Sequence, residues 1–440
     1  MALFWGYFSR FSSIASSLII MPFALVAFTE AEFSLWMVFV AFYALIVVFD
    51  FGLSSTFSRQ INYVLCGAQS LNKVGVCEQV DKSSINYLLF SKIINSAKFV
   101  FFFIAIITVA ILGAAYFFFL NPIAAKSGLD ISLEWLLYSL AIIINIFCLL
   151  YNALFFGTNN VASIYKVTSF SNLTFFAFAI TLILYDYTLM AVAIARLLSA
   201  VTYYLSANYE INKLKMLHGY VKTHWQDTKA TLGVLLPNAG RIGVVSLGNF
   251  MLTKLSILIV AYYFTASESA SYSLALNLFT ILSSVSLLYM TVVTPILNRA
   301  IQNTDFSLVK KLQFKVRLVC LITCLLGCVS VLVIVPELLK LIDSKTSLPS
   351  VYVLVFFSLM VFLDVNRQLS MNLIAATNHI PFYKAIVFSG SVSLLVIIAV
   401  LELGYLSLLT PVIVSLCVQT LFNNWYWTLM ERNILAKKGM

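Results

Sequence analysis

Seven charged side chains fall inside long apolar runs of this 440-residue chain: Arg10, Arg196, Arg241, Lys254 and Arg367, with Asp50 and Asp364. A charge facing lipid at mid-membrane costs roughly 2.5 to 3.5 kcal/mol. Seven such charges would cost on the order of 20 kcal/mol, more than the net stability of most folds. They must therefore face water, protein or one another. Five cations against two acids predict a hydrated, cationic cavity. Such a cavity suits an anionic substrate, and the planar donor fork of arginine suits phosphate in particular.

Helical phasing groups these charges with other polar residues. Arg10, Ser13 and Ser17 share one face; Trp36, Tyr43 and Asp50 repeat every seven residues, as do Tyr138, Asn145 and Asn152. Asn238, Arg241 and Asn249 align, and Ser273, Asn277, Thr280 and Ser284 form a seam extended by Thr291. Asp364, Arg367, Gln368 and Asn372 cluster. Structural roles compete with functional ones here. Asp364 and Arg367, spaced i, i+3, can neutralise each other. Arg196 can pack against Tyr203 and carbonyls, Arg10 can snorkel to a surface, and Asp50 can brace a helix break at Gly52. The seams can also be interhelical glue. Lys254 lies about 220° around an ideal helix from Arg241, so either that helix is kinked or Lys254 serves another contact.

The elements that must position these groups are membrane helices. Hydrophobic residues make up 62% of the chain and charged residues 10%, against roughly 25% charged in a soluble domain, and the mean hydropathy is +0.99. This excludes a soluble enzyme, a disulfide scaffold, a disordered tail and an outer-membrane barrel with alternating strands. We expect an all-α polytopic membrane protein with about twelve helices, at 3–28, 33–58, 94–120, 132–156, 163–185, 188–208, 232–263, 270–297, 316–340, 349–376, 383–403 and 406–430. Helix 7 carries Pro237, Gly240, Gly243 and Gly248, which predict a breakable helix. The N-terminus shows neither a basic leader nor a cleavage site, so helix 1 is expected to stay in the membrane.

With an even helix count both termini lie on one side. That side then holds nineteen Lys and Arg in its connections, and the other only Lys126, Lys340 and Lys345. The bias places both termini in the cytoplasm and explains the net charge of +10 without nucleic acid. No Gly-rich phosphate loop or extramembrane catalytic domain is visible, so the chain is not expected to be an enzyme, and no cofactor is called for. Cys320, Cys324 and Cys328 form an i, i+4, i+8 stripe without a nearby histidine. We read it as small residues packed between helices rather than a metal site. His218, His224 and His379 lie in loops and carry no assignment.

A weak internal repeat is also present. Leu154-Phe-Phe-Gly-Thr-Asn159 followed by Tyr165-Lys166 matches Leu373-Ile-Ala-Ala-Thr-Asn378 followed by Tyr383-Lys384 at an offset of 219. Ser9-Arg10-Phe11-Ser12 matches Gly240-Arg241-Ile242-Gly243 at 231, and Arg59 matches Arg299 at 240. The common order predicts two parallel six-helix lobes, 1–208 and 232–440, joined by a basic cytoplasmic linker at 209–231, with the cavity between them.

The segment Asp50-Phe-Gly-Leu-Ser-Ser-Thr-Phe-Ser-Arg59 resembles the Asp-x-Gly-Leu…Arg signature of O-antigen flippases (Wzx). These belong to the multidrug/oligosaccharidyl-lipid/polysaccharide (MOP) exporter superfamily. Pro295 with Arg299, and the Gly157-Thr-Asn turn, are similar to that family's pattern. The resemblance spans the chain and implies a bilobed, MATE-like inner-membrane transporter with a cationic lumen. It implies transfer of undecaprenyl-diphosphate-linked oligosaccharide to the periplasmic leaflet, with a polysaccharide polymerase and chain-length regulator as possible partners. By the same resemblance, Arg10, Arg241 and Arg367 meet the diphosphate. The family's coupling acids map only loosely, onto Asp50 and Asp364; on physical grounds the sugar would meet the Tyr and Asn seams (Asn145, Asn152, Asn249, Asn277), with Lys254 and Arg196 as further substrate-binding candidates. A drug exporter of the same fold and a membrane-integral polymerase are the alternatives.

Overall fold

The computed structural model describes residues 2–71, 85–214, 220–221, 225–303, 305–377 and 381–437. Cys77, Lys73, Lys82, Lys215, Lys222, Lys438 and the three histidines lie outside the described residues. Among the described residues there is no β-strand; the chain forms twelve helical rods, several of them interrupted. Ten stretches are long and apolar enough to cross a membrane by length and composition. The other two rods are the interrupted second and twelfth.

The rods run in order as α1 (Ala2–Ala27); α2 (Glu30–Phe49) with α3 (Leu53–Leu65); α4 (Tyr87–Ala115), a π turn (Tyr116–Leu120) and α5 (Asn121–Lys126); α6 (Ser132–Gly157); α7 (Val161–Leu184); and α8 (Thr188–Asn212). They continue as α9 (Trp225–Thr253) with α10 (Leu255–Tyr263); α11 (Ala266–Ser286) with α12 (Leu288–Gln302); α13 (Phe306–Leu341); α14 (Val351–Ala376); α15 (Tyr383–Glu402); and α16 (Leu409–Leu421) with α17 (Asn423–Lys437). Several rods outrun the apolar windows that announced them. α4 starts seven residues earlier than expected and α13 ten, because their polar ends remain helical.

Two of the starts share one device. Thr29 and Glu32 satisfy each other's backbone N–H groups at the start of α2, and Thr265 and Glu268 form the same capping box at α11. The spacing of 236 falls among the repeat offsets, so the boxes extend the internal repeat to helices 2 and 8.

By internal packing the chain divides into two compact units. Unit 1 comprises 1–28 and 38–247; unit 2 comprises 29–37 and 248–440. The first turns of α2 thus pack in unit 2, where Ser34 bonds Ser269 at 2.8 Å and Ser267 donates to Glu30 at 2.8 Å. In unit 1, Phe57, Ile61, Phe90, Ile93, Phe101, Phe155 and Val167 form one buried cluster. In unit 2, α13 and α14 carry most of the packing, against α11, α12 and α17.

Since lipid tails are as apolar as leucine, close backbone approach matters more than area here. A Cβ on Gly157 would lie 2.7 Å from Ile61, on Gly243 2.3 Å from Phe51, and on Gly248 2.7 Å from Ile386. This corrects the reading of helix 7. α9 runs unbroken through Gly240, Gly243 and Gly248 and interrupts only at Lys254. At least two of these glycines are packing surfaces rather than hinges. The cysteine stripe is buried in α13, with the Cys328 thiol 3.9 Å from the Ser358 carbonyl. The apolar flanks of α4 (Phe102, Phe103, Ile106, Val109) and α13 (Leu325, Leu326, Val333, Ile334) are exposed, as suits faces turned to lipid.

Candidate functional site

In unit 1 the second rod breaks at Asp50-Phe51-Gly52. Phe51 and Gly52 both take positive φ, 44° and 67°, a pair of left-handed residues that no helix continues through. Gly52 adopts this without a Cβ penalty; Phe51 packs so closely on Gly243 that a Cβ there would lie 2.3 Å from its ring. Asp50 Oδ1 accepts the Ser54 backbone N–H at 3.0 Å and its hydroxyl at 2.5 Å. It therefore caps α3, the bracing role that the sequence left open. No group bonds Asp50 Oδ2 among the described residues, and Asp50 lines a cavity of about 680 Å3 within unit 1.

Arg196, on α8, is held by rings rather than by a carboxylate. Its guanidinium lies 4.5 Å from the ring centre of Tyr43 on α2 and 3.9 Å from that of Phe175 on α7. Its Nε is buried without a hydrogen-bond partner. Tyr138 packs edge-on against Tyr43 at 6.1 Å and is fully buried. The expected partner Tyr203 is engaged elsewhere: its hydroxyl donates to Asn152 Oδ1 at 2.5 Å. Asn145 turns back to its own helix, donating to the Ala141 carbonyl at 2.8 Å. The side chains of Arg10 and Arg241 lie outside the described residues; their backbones belong to α1 and α9.

In unit 2, Lys254 occupies the break between α9 and α10, half-buried, with φ −117° and ψ −26°. Its backbone bonds Phe250 and Ile257, but its ammonium makes no ion pair or hydrogen bond among the described residues. Asn249, one turn earlier, is exposed, and Asn277 on α11 approaches the Met37 sulfur at 3.7 Å.

Asp364 and Arg367 on α14 neutralise each other. Arg367 Nε donates to Asp364 Oδ1 at 3.1 Å, and its terminal nitrogen joins the same oxygen. Gln368 takes Asp364 Oδ2 at 2.6 Å. Both carboxylate oxygens are thus committed within one helix, and Arg367 is 5% exposed. Asn372 donates to Thr294 Oγ1 of α12 at 3.1 Å.

Sequence reasoning missed a charge network in unit 2. Arg317 of α13 pairs with Glu431 of α17 and donates to Ser370 Oγ at 2.9 Å. Thr428 joins Ser370 at 3.2 Å, and Gln313 donates to the Leu369 carbonyl at 3.2 Å. Arg317 stands at the start of the expected helix 316–340, where nothing local announces its partner. The partners are 114 positions apart, so only an alignment or a structure joins them. The capping boxes do carry a sequence signal, Thr-x-x-Glu at Thr29–Glu32 and Thr265–Glu268. Among the described residues no three His, Cys, Asp or Glu stand together to hold a metal.

Three solved structures place the fold. The chain is similar to the lipid II flippase MurJ in an inward closed conformation (TM-score 0.68, 15% identity, 98% of this chain and 87% of that one). It is similar to an inward-facing multidrug resistance MATE family transporter of the MOP superfamily (TM-score 0.66, 12% identity, 100% and 99%). It is also similar to the Vibrio cholerae MATE transporter VcmN in its bent form (TM-score 0.55, 13% identity, 99% and 98%). No family model matches the sequence, and no curated protein matches it. At these identities the likeness carries architecture: the chain is an all-helical, multi-pass membrane protein with the fold shared by MATE transporters and MurJ.

Proposed function

We propose that this protein is a flippase. It would move undecaprenyl-diphosphate-linked oligosaccharide, an O-antigen repeat unit or related glycan, from the cytoplasmic to the periplasmic leaflet of a bacterial inner membrane. The observation that carries the reading is the fate of the intramembrane charges. Asp364 is spent on Arg367 and Gln368, and Asp50 caps α3. Arg196 and Lys254 have no acidic partner among the described residues. The spans therefore keep a positive excess available to an anion.

Two phosphates cannot cross hydrocarbon unaided, because the charges would lose their water with nothing in exchange. Basic groups along a hydrated path lower that barrier while the polyprenyl chain stays in lipid. Arg196 and Lys254 are the described candidates for this role, with Arg10 and Arg241 as further diphosphate contacts. Arg367 is neutralised, so its share in that role is small. Asn152 retains its amide donors for sugar hydroxyls, and Asn249 and Asn277 remain candidates in unit 2. Ion coupling, on this reading, rests on the uncommitted oxygen of Asp50 rather than on Asp364. Six-helix lobes at 1–208 and 232–440, a linker at 209–231, cytoplasmic termini and docking to a polymerase or chain-length regulator belong to the same proposal. The lipid II flippase likeness supports a lipid-linked substrate.

A second reading, a small-molecule exporter, draws on the MATE likeness. One experiment separates them: lipid-linked oligosaccharides are assayed by leaflet in cells lacking the protein, complemented with wild type or with Arg196→Ala, Lys254→Ala, Arg10→Ala or Arg241→Ala. Single repeat units should accumulate on the cytoplasmic leaflet, and normally expressed variants should fail to clear them. Unchanged lipid-linked sugars would move the assignment to small-molecule export. Single units accumulating on the periplasmic face would point instead to a polymerase.

A further inference from the structure

The cavity on the α3 face of unit 1 has a chemistry of its own. α3 contributes Ser54, Ser55, Ser58, Arg59 and Asn62, spaced i, i+1, i+4, i+5 and i+8, which is one helical face. The opposite face of α3, with Leu53, Phe57, Ile61 and Val64, is buried in the core. α6 adds Leu149, Asn152 and Phe156, and Asn159 closes the end toward α7.

Several of these groups are uncommitted. Arg59 is exposed and makes no ion pair or hydrogen bond among the described residues, nor do the Ser58 hydroxyl and the Asn159 side chain. Asn152 spends only its Oδ1, on Tyr203, so its NH2 is free to donate. Phe156 is 44% exposed. A guanidinium without a counter-carboxylate is an anion site. Amides and hydroxyls beside an aromatic face match the hydroxyl rim and C–H face of a pyranose. The volume of about 680 Å3 lies within the range of small-molecule pockets.

We propose that this cavity binds a glycosyl phosphate, with the phosphate at Arg59 and the sugar ring against Phe156, Asn152 and Asp50. The helix fixes the polarity of binding. Arg59 lies five residues beyond Ser54, roughly 7.5 Å along the axis, so the phosphate stays clear of the Asp50 carboxylate. Asp50 Oδ2 is left to accept from sugar hydroxyls. The proposal deepens the flippase reading and rests on it for one point: the lipid-linked sugar–diphosphate junction, rather than a free sugar phosphate, is the natural occupant.

The test uses the full chain purified in nanodiscs. Binding is measured for three probes: farnesyl-diphosphate-linked N-acetylglucosamine, farnesyl diphosphate, and N-acetylglucosamine 1-phosphate. Wild type should bind the first at least about tenfold tighter than the second. Arg59→Gln should weaken binding about tenfold or more. Asn159→Gly preserves the backbone at φ 57° and should weaken it several-fold, whereas Cys417→Ser, outside the cavity, should not. Equal affinity for the two farnesyl probes, or full binding by Arg59→Gln and Asn159→Gly, overturns the proposal. The leaflet assay keeps the two readings apart. If flipping is intact in both cavity variants, the cavity proposal alone falls. If lipid-linked sugars never depend on the protein, yet N-acetylglucosamine 1-phosphate binds in an Arg59-dependent way, the flippase reading falls and the cavity stands as a sugar-phosphate site.

Discussion

The two units treat the arginines inside their helices differently. Unit 2 pairs its charges: Arg317 with Glu431 across α13 and α17, and Arg367 with Asp364 along α14. Unit 1 pairs Lys166 and Lys213 with Glu210, and Lys92 with Asp227, but leaves Arg196 to the faces of Tyr43 and Phe175 and uses Asp50 to hold a broken helix. Pairing makes a charge structural, because it silences the field and fixes two helices. A cation on aromatic rings keeps its net charge and some freedom to trade partners. The difference teaches which intramembrane cations can serve a substrate: Arg196 in unit 1 and Lys254 in unit 2, neither of which has a carboxylate partner among the described residues.

Breaking the pairing should have the largest effect. Glu431 is 4% exposed in its side chain, so Glu431→Ala strands Arg317 and should cost about 3 to 5 kcal/mol, read as a fall in unfolding midpoint in detergent. The apolar pair Arg317→Met with Glu431→Leu should recover most of that loss. No recovery would mean that the hydrogen bonds to Ser370, rather than the charge balance, hold the site.

The α14 pair should behave similarly but more weakly, because Asp364 is a third exposed. Asp364→Ala should destabilise by about 1 to 3 kcal/mol, and Asp364→Asn with Arg367→Gln should restore stability and retain transport. Transport lost in a stable double variant would return Asp364 to the coupling role expected from the sequence.

The aromatic cradle should give the smallest effect on folding. Arg196→Lys keeps the charge and loses the planar stack, costing about 0.5 to 2 kcal/mol, with a larger loss in transport than in stability. Equal losses in both would make Arg196 a structural residue like Arg367.

Much of this architecture was legible in the sequence, for reasons that also mark its limits. Twelve apolar runs gave twelve rods, since length and hydropathy are local properties. The break at Gly52 was readable because Gly tolerates positive φ. The breaks at Leu287 and Phe422 were not, since neither is a Gly or Pro, and the phasing of Lys254 against Arg241 offered a kink without placing it. The glycines of α9 misled because a missing Cβ signals a hinge or a close neighbour, and the sequence does not say which. Asp364 with Arg367 was visible as an i, i+3 pair, whereas Arg317 with Glu431, and Arg196 with rings from two other helices, depend on tertiary structure. The polar face of α3 was present in the spacing of Ser54, Ser58, Arg59 and Asn62. The residues of α6 that complete the cavity beside it depend on tertiary structure.

The central claim is that uncompensated cations, not the paired charges, serve an anionic substrate. Its most direct test is the leaflet-resolved assay of lipid-linked oligosaccharide with two double variants of equal expression. Arg196→Gln with Lys254→Gln should leave repeat units on the cytoplasmic leaflet, while Asp364→Asn with Arg367→Gln should clear them like wild type. The reverse pattern, with the first pair clearing and the second blocked, would contradict the account.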